Sequence, residues 1–240
     1  MTNTHQHTPV TALEIYLDSA NIGEIEKGSD LFELAGITSN PLIIKKEGKL
    51  DFYPHFSKIR QIIGKNKRLH IQTLGFTADV ILKEARAILG KIDDHVYIKV
   101  PTTEQGLKAM KILSREGVNI TATGIYTLMQ AYHAIAAGAN YLAPYCNRME
   151  QMGINFRTVI SEISDVLART GSPAKIVAAS FKNVTQVTDA IAAGADAVTM
   201  TSDVLHSVFA FAPIDLAVKE FHDAWISSQG KDASLASTME

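Results

Sequence analysis

The sequence predicts an α/β protein built as a closed (β/α)8 barrel, a TIM barrel, with an additional C-terminal helix. Short apolar runs rich in Val, Ile and Tyr alternate eight times with stretches of helical periodicity, and strict alternation of this kind requires a parallel sheet. Eight units of about thirty residues each close such a sheet into a barrel. An internal repeat points the same way: Ala134-Ile135-Ala136-Ala137-Gly138-Ala139-Asn140 recurs two units later as Ala190-Ile191-Ala192-Ala193-Gly194-Ala195-Asp196. Each copy reads as a helix end, a glycine C-cap and the entry to a strand.

The first strand begins at Glu14 and runs to Asp18, and Ser19-Ala20-Asn21 offers caps for a helix through about Gly28. Gly36 to Asn40 is the second strand, stopped by Pro41, and Phe52 to Ile63 carries helical periodicity. Arg68 to Thr73 is the third strand, followed by a helix over Thr77 to Leu89. The fourth strand, Tyr97 to Val100, precedes a helix over Thr103 to Arg115 that opens on a capping signal, Thr-Thr-Glu-Gln. Asn119 to Thr123 leads to a helix over Tyr126 to Ala137, and Tyr141 to Tyr145 to one over Phe156 to Arg169. Lys175 to Ser180 precedes Thr185 to Ala193, and Ala197 to Thr201 precedes a short helix near Ser202 to Phe209. This divides the chain into a flexible N-terminal extension over 1–12, a barrel over 13–212, a C-terminal helix over 213–229 and a flexible tail over 230–240. Phe221 and Trp225, four apart, put an apolar stripe on that last helix, able to cover its own barrel or dock on a neighbouring subunit.

Composition narrows the function classes. A 240-residue chain that is 46% hydrophobic and 20% charged supports a large core, and a net charge of -2 with both signs interspersed provides no field for nucleic acid or an anionic membrane. The single Cys146 excludes an internal disulfide. The chain has no long apolar span and its first residues are polar, so a cytoplasmic location is expected. The histidines are scattered without ligand spacing, and no dinucleotide fingerprint or P-loop is present, so neither a metal nor a cofactor is expected.

The chemistry centres on Tyr97-Ile98-Lys99-Val100-Pro101. On a strand, Tyr97 and Lys99 face one side and Ile98 and Val100 the other, which turns Lys99 to the barrel interior. A desolvated lysine loses its proton more readily, and the neutral amine can attack a ketone to form a Schiff base. A buried stem with its head snorkelling to a salt bridge is the other reading of Lys99 alone. Barrel enzymes place their sites at the C-terminal ends of the strands, and here those ends carry Asp18, Thr38, Asn40, Gln72, Lys99, Thr121, Thr123, Tyr145 and Ser180. Each has a plain structural use as well, in a turn, a loop or a cap. Taken together they assemble a site: Lys99 forms the imine, Asp18 moves protons, Thr38 and Asn40 bind hydroxyls, and Tyr145 or a water beside it serves as acid and base. Arg148 and the Ser180-Phe181-Lys182 segment offer ligands for a phosphate.

Leu17-Asp18, Gly36-Ile37-Thr38-Ser39-Asn40-Pro41, Ile98-Lys99-Val100-Pro101-Thr102, Ala143-Pro144-Tyr145-Cys146-Asn147-Arg148 and Ala179-Ser180-Phe181-Lys182 resemble the motifs of the transaldolase family, most closely its small fructose-6-phosphate aldolase branch. The resemblance runs in order from about Leu13 to Trp225. It implies a class I mechanism with Lys99 as the imine-forming residue and Asp18 as the proton-transfer carboxylate. It also implies Thr38 and Asn40 as hydroxyl ligands, Thr123 and Tyr145 around the catalytic water, and Arg148 and Ser180 as a phosphate clamp. Homo-oligomers, pentamers or decamers, with the C-terminal helix reaching a neighbour, are a further implication. Gln72 stands where transaldolases of the family carry glutamate and the aldolase branch glutamine, so the resemblance favours an aldolase acting on a sugar phosphate such as fructose 6-phosphate. The alternatives are transfer of a dihydroxyacetone unit between sugar phosphates and a barrel that binds sugar phosphates without turning them over. Departures from the family pattern are Leu42 in place of serine, Ser39 in place of threonine, and His70 and Thr73 flanking Gln72. Leu42 removes a hydroxyl near the donor site, which leaves open the donor, the acceptor and the identity of the anionic group.

Overall fold

The computed structural model describes residues 13–231 and 234–236. The N-terminal extension over 1–12 and most of the tail beyond 231 lie outside the described residues. Eight parallel strands close into a barrel in chain order: β1 (Glu14–Asp18), β2 (Gly36–Thr38), β3 (Arg68–Gln72), β4 (Tyr97–Pro101), β5 (Ile120–Ile125), β6 (Tyr141–Pro144), β7 (Lys175–Ala178) and β8 (Ala197–Met200), with β1 pairing both β2 and β8. The helices are α1 (Ile22–Leu31), α2 (Pro41–Lys46), α3 (Phe52–Ile63), α4 (Ala78–Lys91), α5 (Glu104–Arg115), α6 (Leu128–Ala136), α7 (Cys146–Gln151), α8 (Phe156–Thr170), α9 (Val184–Ala192), α10 (Ser202–Ser207) and α11 (Ala212–Gln229). The chain forms two compact units, one ending at Val204 and one starting at Leu205.

Local chemistry accounts for the helix starts. Asn21, Thr77, Thr103, Thr127 and Asn183 are extended N-caps whose side chains accept backbone N–H groups of the first turn. Thr127 and Gln130 complete a reciprocal capping box. The repeat has the same hydrogen bonding in both copies. After α6, Gly138 and Ala139 donate to Ile135 and Ala134; after α9, Gly194 and Ala195 donate to Ile191 and Ala190. Gly138 and Gly194 take left-handed φ values of 87° and 105°, and a Cβ on them would strike Ser114 Oγ and Ser164 Oγ of the preceding helices.

Two elements are additions to the sequence reading. Asn40-Pro41, where the sequence reading ends the second strand, starts α2: Asn40 Oδ1 accepts from the N–H groups of Leu42 and Ile43, and Pro41 occupies the first helical position. Tyr145, directly after β6, is the N-cap residue of α7, without a side-chain cap bond. Both helices are six residues long, too short for helical periodicity to register. Gly124, just past the strand end read from the sequence, lies inside β5 at φ 72°, where the register to β6 shifts between Thr123 and Ile125.

The barrel interior is polar at both ends. At the N-terminal end Glu14 accepts from Tyr16 Oη at 2.8 Å, Tyr141 Oη at 2.5 Å and Lys175 Nζ at 2.5 Å, and pairs with Arg68 at 3.2 Å. Above this network His70 is fully buried, stacked on Tyr97 with ring centroids 4.7 Å apart and bonded through Nδ1 to Thr121 Oγ1 at 2.8 Å. Burial, then the nearby Lys99, Arg68 and Arg60, hold the His70 pKa well below its ordinary value, so the ring is neutral. In the second unit, α11 is one 18-residue helix begun by Pro213 and braced by a Lys219–Asp223 pair at 2.7 Å.

Candidate active site

The C-terminal ends of the strands surround a cavity of about 450 Å³. Lys99 and Gln72 are register partners on β4 and β3, so both side chains face inward at one level. Asp18 ends β1, across the interior from Lys99. Of the residues expected at the site, Asp18, Asn40, Gln72, Lys99, Tyr145, Arg148, Ser180 and Lys182 line this one cavity.

Lys99 is 5% exposed. Burial pushes its amine below the ordinary lysine value, opposed by the Asp18 charge. Burial pushes the Asp18 carboxyl up, opposed by Lys99, by the Thr38 hydroxyl that donates to Oδ1 at 2.7 Å, and by Lys46. The two shifts converge. Each group is drawn toward its neutral form, the direction that favours a nucleophilic amine and a protonated carboxyl.

Thr38 and Thr123 stand behind the cavity wall. Thr38 is 2% exposed and joins Asp18 to Thr199, with Oγ1 atoms 2.6 Å apart. Thr123 Oγ1 lies 2.8 Å from Tyr145 Oη and fixes the phenol over the site. Burial raises the Tyr145 pKa, against the Thr123 bond and the Arg148 charge, so the phenol keeps its proton. Arg148, one helical turn beyond Tyr145 on α7, sets its guanidinium 5.1 Å from the Tyr145 ring centroid. Asn40 faces the cavity while its Oδ1 caps α2, which leaves the amide nitrogen for a ligand. Gln72 Oε1 is buried with no hydrogen-bond partner among the described residues, an acceptor held open at the cavity.

Ser180 has φ 66°, the single left-handed non-glycine among the described residues. Its carbonyl accepts from Asn147 N, tying the end of β7 to α7. A serine held there places its hydroxyl at the cavity despite local strain. The Lys182 N–H, one of the groups expected to meet an anion, donates instead to Gln186 Oε1 at 2.8 Å. Burial pushes the Cys146 thiol up to about 12, which keeps it protonated and unreactive.

Sequence reasoning missed Lys46, Thr199 and Thr201, which also line the cavity. Thr199 was recoverable, because it occupies the inward register of β8 opposite Tyr16. Lys46 was hidden because α2 itself was. No group of His, Cys, Asp and Glu able to hold a metal occurs among the described residues, and no helix there is long and apolar enough to cross a membrane.

Residues 15–235 match the family model described as Transaldolase/Fructose-6-phosphate aldolase. A Streptococcus pneumoniae protein named "Probable fructose-6-phosphate aldolase" is 47% identical over 217 residues, covering 90% of this chain and 98% of the relative. Among solved structures, a thiamine phosphate pyrophosphorylase from Pyrococcus furiosus shares the fold at 14% identity, with a TM-score of 0.56 over 79% of this chain and 86% of its own. The inosine 5'-monophosphate dehydrogenase of Legionella pneumophila does so at 15% identity, with a TM-score of 0.55 over 80% of this chain and 58% of its own. Such distant likenesses show the barrel alone. The family model and the 47% identical relative cover nearly the whole chain: the chain belongs to the transaldolase/fructose-6-phosphate aldolase family of enzymes.

Proposed function

We propose that the protein is a class I aldolase that cleaves and forms the C3–C4 bond of a ketose phosphate, with fructose 6-phosphate giving dihydroxyacetone and glyceraldehyde 3-phosphate. The observation that carries this is the Lys99–Asp18 pair, a buried lysine and a partly exposed carboxyl lining one cavity, with opposite pKa shifts. The Lys99 amine attacks the C2 ketone, and the carbinolamine, protonated by Asp18 or Tyr145, loses water to give the iminium. Removal of the C4 hydroxyl proton breaks the C3–C4 bond and its electron pair flows into the iminium, leaving an enamine. The aldehyde product departs. Protonation at C3 and hydrolysis then free dihydroxyacetone and regenerate the amine.

In this reading Tyr145, steadied by Thr123, and Gln72 position the water and its protons. Thr38 orients Asp18, Asn40 binds a substrate hydroxyl, and Arg148, Ser180 and Lys182 hold the phosphate. Thr38, taken from the sequence as a hydroxyl ligand, thus acts through Asp18, since its Oγ1 already engages Asp18 and Thr199. Neither metal nor cofactor takes part, and nucleic acid and membrane are not partners. A cytoplasmic homo-oligomer, pentamer or decamer, with α11 docked on a neighbouring subunit, completes the proposal.

The second reading is a transaldolase, which keeps the enamine for an acceptor such as erythrose 4-phosphate. Gln72 favours the aldolase, since a neutral amide activates water for transfer less than a carboxylate does. Borohydride with dihydroxyacetone is expected to trap an adduct on Lys99, and its absence at saturating ligand would end the Schiff-base reading. Release of glyceraldehyde 3-phosphate from fructose 6-phosphate without any acceptor separates aldolase from transaldolase.

A further inference from the structure

The phosphate end of the proposed site is made by two separate segments. Arg148 stands on α7, a helix of six residues, while Ser180 and Lys182 stand on the loop between β7 and α9. Ser180 is held at φ 66°, a conformation that a serine does not keep unless its surroundings impose it. On its N-terminal side the backbone does this: Cys146 N donates to the Ala179 carbonyl at 2.9 Å and Asn147 N to the Ser180 carbonyl at 3.1 Å. On its C-terminal side the work falls to one side chain, Gln186.

Gln186 is the third residue of α9 and is 5% exposed. Its backbone N–H donates to Asn183 Oδ1 at 2.9 Å, and its Oε1 accepts from the Lys182 N–H at 2.8 Å, which satisfies the start of the helix. Gln130, at the corresponding position of α6, accepts from Tyr126 and Thr127 in this way and stays partly exposed. Gln186 goes further. Its Nε2 donates to Asn147 Oδ1 at 3.2 Å and to Glu150 Oε2 at 2.5 Å, and those two side chains, three residues apart, share one face of α7. Glu150 is paired in turn with Arg157 of α8 at 3.6 Å, and Arg157 also pairs with Asp189 of α9. One buried carboxamide therefore spends its oxygen on the loop that carries Ser180 and Lys182 and its nitrogen on the helix that carries Arg148. Gln186 itself does not line the cavity.

We infer that Gln186 is a positioning residue for the anion clamp: it sets the spacing between Arg148 and the Ser180–Lys182 loop, and so governs affinity for the phosphate without touching it. This role presumes the phosphate clamp proposed above. A drift of about an ångström between the two segments weakens the contacts to the phosphate, while Lys99 and Asp18 are held by β4 and β1.

The test compares glyceraldehyde 3-phosphate with glyceraldehyde as acceptors for dihydroxyacetone, reading KM for each on the full chain. Gln186→Glu keeps an acceptor for Lys182 but sets a carboxylate against Glu150, and is expected to raise KM for the phosphorylated aldehyde about tenfold relative to the unphosphorylated one. Adding Glu150→Gln supplies the missing amide from the other side and is expected to recover most of that ratio. Gln186→Leu, which removes all three side-chain bonds, is expected to lose the ratio with no recovery from Glu150→Gln. A role in folding alone lowers the active fraction and leaves both KM values where they were. A ratio unchanged in the two Gln186 variants, an equal rise in both KM values, or no recovery in the Gln186→Glu, Glu150→Gln chain overturns the inference. Arg148→Ala is read separately: a ratio unchanged there defeats the phosphate clamp, whereas a ratio lost there and kept in the Gln186 variants defeats the positioning role alone.

Discussion

The two ends of the barrel interior bury charge to opposite effect. At the N-terminal end Glu14 is pushed up by burial, yet Lys175, Tyr141, Tyr16 and Arg68 outweigh that push and hold its carboxyl below the ordinary range. At the C-terminal end Asp18 meets the same push with fewer partners, and its carboxyl rises. The difference lies in the company each keeps. Glu14 is bound by two phenols, an ammonium and a guanidinium, and its form is settled as the anion. Asp18 has one hydroxyl, the Lys99 amine, which burial draws toward its neutral form, and the charge of Lys46, and together they do not offset its burial. A saturated network braces the barrel, and an under-supplied one is where the proposed function places the chemistry.

Substitutions at the two ends should therefore fail in different ways. Lys99→Met is expected to lower kcat by about four orders of magnitude or more, measured as product release, while the chain stays folded by circular dichroism. Glu14→Ala strands two phenols and two cations, and because Arg68 and Lys175 retain some water the loss is expected near 3 kcal/mol in urea unfolding, with activity per folded molecule preserved. A Glu14→Ala chain that is stable but inactive would break the comparison.

Asp18→Asn is expected to cost roughly 10² to 10³ in kcat. It should also move the basic group seen in kcat/KM to lower pH, because the Asp18 charge is what holds the Lys99 amine up. The sign for stability follows from linkage. Between its lowered folded value and the ordinary lysine value of about 10.4, Lys99 holds fewer protons folded than unfolded, so this group makes the wild type gain stability as pH rises through that window. Lys99→Met should remove that gain, and a slope unchanged by the substitution would contradict a buried, depressed amine.

The smallest expected change is at Thr38. Thr38→Val removes the hydrogen bond to Asp18 and should raise the carboxyl further, reducing kcat about fivefold with little effect on KM. A change confined to KM would return Thr38 to the role of a substrate ligand.

Much of this site was legible in the sequence because strand ends can be read by alternation, and alternation turns Asp18, Gln72 and Lys99 inward without any tertiary knowledge. The helix caps at Asn21, Thr77 and Thr103 were legible for the same reason, since a cap is a bond between near neighbours in the chain. The short helices α2 and α7 were not, because six residues carry too little periodicity, and with α2 went Lys46.

By itself, then, the sequence determined the order of strands and helices, the repeat ending in Gly138 and Gly194, and which residues reach the cavity at the C-terminal ends of the strands. All of these depend on contacts within one strand-helix unit. Only the closed barrel decided which inward residues meet: Thr38 with Asp18 and Thr199, Thr123 with Tyr145, and His70 with Thr121. It decided as well that Glu14 ends as an anion while Asp18 is drawn toward the acid. Burial and charge are summed over neighbours from several strands, and a side chain's protonation depends on that sum rather than on its place in the chain.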